Sequence, residues 1–254
     1  MTATPELLDA LALLARRAGA AVMEVYASDF AISGKADDSP VTAADLRAEL
    51  IIVQGLALLA PGIPIVAEEA MAAGATPQIG QRFWLVDPLD GTREFVHRNG
   101  EFTVNIALID DGVPTLGVVH APAIDRLFAG ALGQGAFVED AGMRRTAHCR
   151  MPPPDGLVVL ASRSHGDEAA LRRFLAGRQV ARVAYAGSSL KLCLIACAEA
   201  DLYPRFGRTM EWDIAAGHAV LAAAGGGVQT MDDAPLRYGK PAFENPHFFA
   251  RGLR

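Results

Sequence analysis

Trp84-Leu85-Val86-Asp87-Pro88-Leu89-Asp90-Gly91-Thr92 joins a short apolar run to a tight acidic turn, and the rest of the chain is best understood outward from it. Phe83 to Val86 has the length and composition of a buried strand. Two carboxylates three positions apart follow, and Pro88 and Gly91 force the chain to bend sharply around them. A turn of this kind can bring Asp87, Asp90 and the intervening Leu89 carbonyl to one place. Oxygen-only ligands suit a hard divalent cation such as Mg2+. The Gly91 and Thr92 amides can donate to a phosphate oxygen if a helix or backbone nest begins there. An isolated Asp-Gly reads as a surface turn. The whole hexapeptide, placed directly after a buried strand, points to a site.

Three further acidic features fall into place around it. Glu68-Glu69 follows a second short apolar run, Ile63 to Val66, so its carboxylates are expected at a strand end like Asp87. Asp213, in Glu211-Trp212-Asp213, opens an apolar stretch read as a helix, where it serves as well as a first-turn acid as it does as a ligand. Thr42-Ala43-Ala44-Asp45 has capping-box spacing, and a cap can also present Asp45 to a neighbouring hydroxyl. No Ser, Cys or His nucleophile with a matching base stands out. His97, His120, His148 and His247 receive no role, and His218, about a turn beyond Asp213, is expected to be structural.

Composition bounds the rest. With 254 residues, 51% of them hydrophobic and 20% charged, the chain can bury a sizeable core and is not of disordered type. The 29 acidic and 23 basic residues leave a formal net charge of -6, and no Lys/Arg run occurs. That balance argues against a nucleic-acid polymer as partner. It does not exclude a small anionic substrate, because a bound cation reverses the local field. Three cysteines, an odd and sparse count, fit a reducing compartment, and Cys193 and Cys197 read as small core residues in an apolar helix. The start lacks a leader-like pattern, and no run reaches the ~18 apolar residues of a membrane span. A cytoplasmic protein is expected.

Helices are expected from Thr4-Pro5-Glu6 through Val25, on the spacing of Leu7, Leu11, Leu14, Ala18 and Val22, and from Thr42 to about Ala60 through Leu46, Leu50, Val53 and Ala57. Strands at 102–109, 115–120, 126–129 and 135–139, with Asp111-Gly112 as a hairpin turn, make an antiparallel sheet. The Pro-rich segment 151–155 separates this half, about 1–150, from an alternating half, about 151–254. The second half has strands at 157–161 and 200–203 and helices at 167–175, 188–198 and 212–224. The class is α+β, with both halves layered into one unit.

At this level of detail the chain resembles the inositol-monophosphatase-like, lithium-sensitive phosphatases, whose signature looks like Trp84 to Thr92 together with Trp212-Asp213-Ile214-Ala215-Ala216-Gly217. Within them it looks most like the CysQ-type 3'(2'),5'-bisphosphate nucleotidases. That likeness is carried by Lys35 to Asp45, Glu94-Phe95, Arg98 to Ile106, Gly187 to Lys191, Leu202 to Arg205 and Ala216 to Ala219. One departure is Val66-Ala67-Glu68-Glu69, where Leu-Ser-Glu-Glu is expected; it removes a hydroxyl but no ligand.

The resemblance implies a layered α-β-α-β-α sandwich of the inositol monophosphatase / fructose-bisphosphatase type, spanning 1–254 as one domain. It implies two or three Mg2+ per active site, the first held by Glu68, Asp87 and the Leu89 carbonyl, the second by Asp87, Asp90 and Asp213. Asp45, Thr92 and Glu68 would be catalytic, the Asp45–Thr92 pair orienting the attacking water. Glu68, Leu89, Asp90, Gly91, Thr92, His165, Lys191 and Asp213 would face the substrate. That substrate would be adenosine 3',5'-bisphosphate, with 3'-phosphoadenylyl sulfate as a second one, in sulfur assimilation. The enzyme would be a cytoplasmic monomer or homodimer, with peripheral attachment to the inner membrane face as an alternative, and sensitive to Li+. The alternatives are an inositol or sugar phosphatase on the same scaffold and a catalytically silent nucleotide-binding regulator.

Overall fold

The computed structural model describes residues 4–31, 33–34, 40–162 and 167–253. Helix α1 (Pro5–Tyr26) opens as expected, with Thr4 Oγ1 accepting from the Leu7 amide and Pro5 in the first turn. A two-stranded hairpin, β1 (Ser33–Gly34) with β2 (Pro40–Val41), leads to α2 (Ala43–Leu59). Then follow β3 (Ile65–Ala67), α3 (Glu68–Ala72), β4 (Arg82–Asp90) and α4 (Thr92–Val96). A meander comes next: β5 (Thr103–Asp110), β6 (Val113–Ala121), β7 (Arg126–Ala131), β8 (Gly135–Asp140) and β9 (Met143–Ala147). The second half holds β10 (Leu157–Ser162), α5 (Glu168–Leu175), β11 (Val180–Ala186), α6 (Leu190–Ala196), β12 (Leu202–Arg205), α7 (Glu211–Ala223), β13 (Gly227–Thr230) and β14 (Phe248–Arg251).

Two sheets organise these elements. The larger has seven strands in the order β3-β4-β5-β6-β7-β8-β9, with only β3 and β4 parallel. The smaller has five, in the order β11-β10-β12-β14-β13, parallel across β11, β10 and β12 and antiparallel thereafter. Asp111 and Gly112 both take positive φ in the β5–β6 turn, the conformation that matches strand twist in a two-residue hairpin.

Three apolar clusters separate five layers. The first packs α1 and α2, through Leu11, Val22, Ile52 and Leu56, on Trp84, Ile106 and Val118 of the large sheet. The second lies on that sheet's opposite face and joins it to α6, α7 and the small sheet, through Leu192, Ile195, Val220, Leu221 and Phe248. The third packs Leu171, Phe174 and Leu175 of α5 on Val159, Leu202 and Phe249. The order α-β-α-β-α is therefore the observed one. Close contact between layers needs a glycine at 117: a Cβ there would stand 2.3 Å from the Ala216 carbonyl oxygen of α7.

Several sequence expectations change. Helix α2 turns Ala44, Ala48, Ile52 and Leu56 inward, so Leu46 and Leu50 are both 59% exposed. Glu68 and Glu69 follow directly on the end of β3, as expected, and there open the short helix α3. The strand before the acidic turn runs on through Asp90, with its pairing to β5 shifted between Asp87 and Asp90. Strands β9, β11, β13 and β14 lay outside the expected set. The stretch Lys35 to Ser39 falls outside the described residues.

Candidate active site

The register shift between Asp87 and Asp90 lets Pro88-Leu89 bulge out of the β4–β5 ladder, which places both carboxylates at the end of one strand. Gly91 then takes the left-handed conformation, φ 90° and ψ 42°, and serves as N-cap of α4 with no side-chain oxygen capping its first turn. Only glycine adopts this backbone without strain, and Phe95 N closes the helix on the Gly91 carbonyl.

Four of the acids expected in the site each give one oxygen to a backbone amide. Asp87 Oδ1 accepts from Leu89 N at 3.0 Å, and Asp90 Oδ2 from Ser189 N at 2.6 Å. Asp213 Oδ2 accepts from Met210 N at 2.9 Å, so Asp213 caps the first turn of α7 while lining the cavity described below. Asp45 Oδ2 accepts from the Thr42 amide and hydroxyl at 2.7 and 2.9 Å, while its Oδ1 faces the Thr92 hydroxyl at 3.3 Å. Thr92 Oγ1 also lies 3.2 Å from the Leu89 carbonyl. These hydrogen bonds hold the carboxylates in place without neutralising them.

A cavity of about 700 Å³ opens over this floor. Glu68, Asp90, Gly91, Thr92, Lys191 and Asp213 line it, while Asp87 and Leu89 are buried beneath. His165 lies outside the described residues. Burial and the surrounding acids push Asp87 and Asp213 well above the usual carboxylate range. Burial likewise raises Asp90 to about 7, against the pull of Lys191 and the Ser189 amide. Lys191 is itself lowered to about 8 by burial; its ammonium donates to the Ala186 and Ser188 carbonyls at 3.1 and 2.6 Å.

Four carboxylates, Glu68, Asp87, Asp90 and Asp213, gather against the Lys191 ammonium and the Arg205 guanidinium, and the acidic donors are all hard oxygens. That chemistry fits Mg2+. Among the described residues, no group of three or more His, Cys, Asp or Glu side chains is drawn tightly enough to hold a metal ion as it stands. The fit therefore rests on donor chemistry.

Several participants carried no role in the sequence reading. Ser189 Oγ bridges Asn105 Oδ1 at 2.8 Å and Thr103 Oγ1 at 3.0 Å, bracing the amide that holds Asp90. Glu101 accepts from Gly187 N at 2.8 Å and so ties the segment before α6 to the large sheet. Arg205 lines the cavity, is buried, and has an Nε with no hydrogen-bond partner. Buried polar residues with neighbours distant in sequence are the signal for such roles, and that signal exists only after folding. His218 is structural: burial holds it neutral at about 3, with Nδ1 2.9 Å from the Tyr238 hydroxyl. The three cysteines are buried, and burial raises their thiols.

Fold and site together define a class: residues 4–248 match the inositol monophosphatase family, and the chain belongs to it. Among particular relatives, it is 49% identical to the 3'(2'),5'-bisphosphate nucleotidase CysQ of Shigella flexneri over 95% of this chain and 98% of that one. The crystal structure of CysQ from Bacteroides thetaiotaomicron superposes with a TM-score of 0.79 at 36% identity, covering 97% of each chain. An inositol monophosphatase from Anabaena superposes with a TM-score of 0.73 at 28% identity, covering 96% of this chain and 89% of its own.

Proposed function

We propose that this chain is a Mg2+-dependent 3'-phosphatase that hydrolyses adenosine 3',5'-bisphosphate to AMP and phosphate in sulfur assimilation, and that it also accepts 3'-phosphoadenylyl sulfate. The observation that carries the reading is one cavity in which Glu68, Asp90 and Asp213 meet the Thr92 hydroxyl, with Lys191 and Arg205 lining the same space. The likeness to nucleotidases named CysQ, over almost the whole of both chains, supports the substrate.

Glu68, Asp87, the Leu89 carbonyl, Asp90 and Asp213 would hold the two or three ions. When bound, Mg2+ acidifies water and neutralises charge on the phosphoryl group and the departing oxygen. The chain's own residues do the positioning. Thr92 has one proton, which serves Asp45 Oδ1 or the Leu89 carbonyl, and its lone pairs remain to accept from the attacking water. Asp45 lies one hydrogen bond further and can draw the proton away. The uncapped first turn of α4 offers Gly91 and Thr92 amides to the scissile phosphate. Lys191 and Arg205, both buried and cationic, suit the second phosphate of a bisphosphate nucleotide.

The proposal takes 1–254 as one domain, because α6 and α7 lie between the two sheets and pack on both. It sets the enzyme in the cytoplasm as a monomer or homodimer and makes no use of a membrane surface. No described helix is long and apolar enough to cross a membrane.

Phosphate release from adenosine 3',5'-bisphosphate, inositol 1-phosphate and fructose 1,6-bisphosphate, with and without chelator, tests the substrate. Preference for the nucleotide, lost on chelation, is the expected result. Preference for inositol or sugar phosphate would keep the chemistry and replace the substrate, which is the second reading favoured by the Anabaena likeness. No release from any of them would favour the silent regulator.

A further inference from the structure

Helix α2 reaches the site twice. Asp45, at its start, faces the Thr92 hydroxyl. One helical turn later, Glu49 extends from the same helix to the beginning of α3, the five-residue helix that starts with Glu68. Glu49 Oε2 accepts from Glu69 N at 2.8 Å and Oε1 from Ala70 N at 2.9 Å. Both oxygens of one carboxylate thus hold two consecutive amides at a helix start. The N-cap residue of α3, Ala67, has no side-chain oxygen to do this.

A helix this short does not hold itself together in water, because its few internal bonds do not offset the cost of nucleation. Its open amides need a partner, and an anion at that end also complements the helix dipole. Charge-assisted bonds at these lengths are strong and directional. The Glu68 backbone, next to the two captured amides, is thereby fixed relative to α2. Glu68 lines the cavity with Asp90 and Asp213, so a tilt of α3 would carry its carboxylate away from theirs.

We propose that Glu49 is a positioning residue for metal binding: by capping α3 it sets the place of the Glu68 carboxylate. One rigid helix would then place the group that handles the water, Asp45, and the group that helps hold the ion, Glu68. The inference rests on the assignment of Glu68 to the metal site. Glu49 touches neither substrate nor metal in this account and acts through α3.

The test is Mg2+ binding by calorimetry, without substrate, on the full chain and on Glu49→Gln, Glu49→Asp, Glu68→Gln and Thr4→Ala. Glu49→Gln keeps the size but places an NH2 against one of the two amides. It should weaken Mg2+ binding about 10-fold, in the range seen when groups that orient metal ligands are lost. In turnover assays its half-saturating Mg2+ should rise by a similar factor, with KM for nucleotide at saturating Mg2+ within about twofold of the parent. Glu49→Asp, which retains the anion, should fall between the two, and it serves if Glu49→Gln does not fold. Thr4→Ala removes a cap from α1 instead, so it should lower thermal stability and leave Mg2+ binding unchanged.

Unchanged Mg2+ binding in Glu49→Gln, with Glu68→Gln impaired, would overturn the positioning role and leave the metal assignment standing. Unchanged binding in Glu68→Gln would overturn the assignment itself. An equal loss in Thr4→Ala and Glu49→Gln would reduce the effect to general stability and also overturn the proposal.

Discussion

Thr92 and Asp45 separate chemistry from folding unusually well among the residues of this site. Asp45 does two tasks: its Oδ2 closes the capping box of α2, and its Oδ1 faces the Thr92 hydroxyl. Thr92 has no part in that cap. Thr92→Val should therefore lower kcat by roughly 100-fold or more, the usual size for a lost proton-transfer group, with the melting temperature nearly unchanged. Asp45→Asn should lose similar activity and also about 1 kcal/mol of stability, as capping losses do. Steady-state kinetics beside thermal melts of both variants check this. Asp90→Asn should abolish turnover through the lost ligand while leaving the fold intact in chelator. There it removes a charge that burial and neighbouring acids disfavour. Near-normal turnover in Asp90→Asn would contradict the metal assignment.

Elements explain why some of this was legible beforehand and some was not. The acidic turn announced itself because Pro88, Asp90 and Gly91 carry local backbone information, and Gly91 does take the left-handed conformation. Strands β5 to β8 announced themselves through apolar runs and a hairpin turn. Strand β11 did not, because it is an edge strand with Arg182, Val183 and Tyr185 exposed, so its pattern is not that of a buried face. Strand β14 fits between β12 and β13 from the far end of the chain, a placement only long-range pairing can supply. The inward face of α2 was misjudged for a related reason: the large residues Leu46 and Leu50 point outward, and small Ala44 and Ala48 allow the close approach. Close approach is testable between α7 and β6. Gly117→Ala puts a methyl group 2.3 Å from a backbone oxygen and should destabilise the fold by about 1–3 kcal/mol, measured as a lower urea midpoint.

Across the whole molecule, the stacked layers bury ionisable groups whose titration links pH to stability. Burial lowers His218 to about 3 and His120 to about 4, whereas an unfolded histidine titrates near 6.5. Between these values the unfolded chain takes up protons that the folded one refuses. The stability these two histidines contribute is thus full above about pH 6.5 and falls as pH drops toward 4, by about 2 kcal/mol per histidine at pH 5, whereas the raised carboxylates Asp87, Asp90 and Asp213 act with the opposite sign in the chelated protein. Urea unfolding of the chelated parent and of His218→Gln at pH 7.5 and pH 5 isolates that histidine: on going from pH 7.5 to 5 the variant should lose less stability than the parent, or gain more, by about 2 kcal/mol. A slope unaltered by that substitution would mean that other groups set the acid limit.

The layering also brings the site together. The large sheet supplies Asp87 and Asp90, α2 on one face and the short α3 bonded to it supply Asp45 and Glu68, and α6 and α7 on the opposite face supply Lys191 and Asp213. The most direct measurement is hydrolysis of adenosine 3',5'-bisphosphate by the parent and Thr92→Val at saturating Mg2+, with products separated. The account predicts AMP and phosphate in equal amounts from the parent, almost none from Thr92→Val, and none from either in chelator. Turnover that survives chelation, or a Thr92→Val enzyme as fast as its parent, would contradict it.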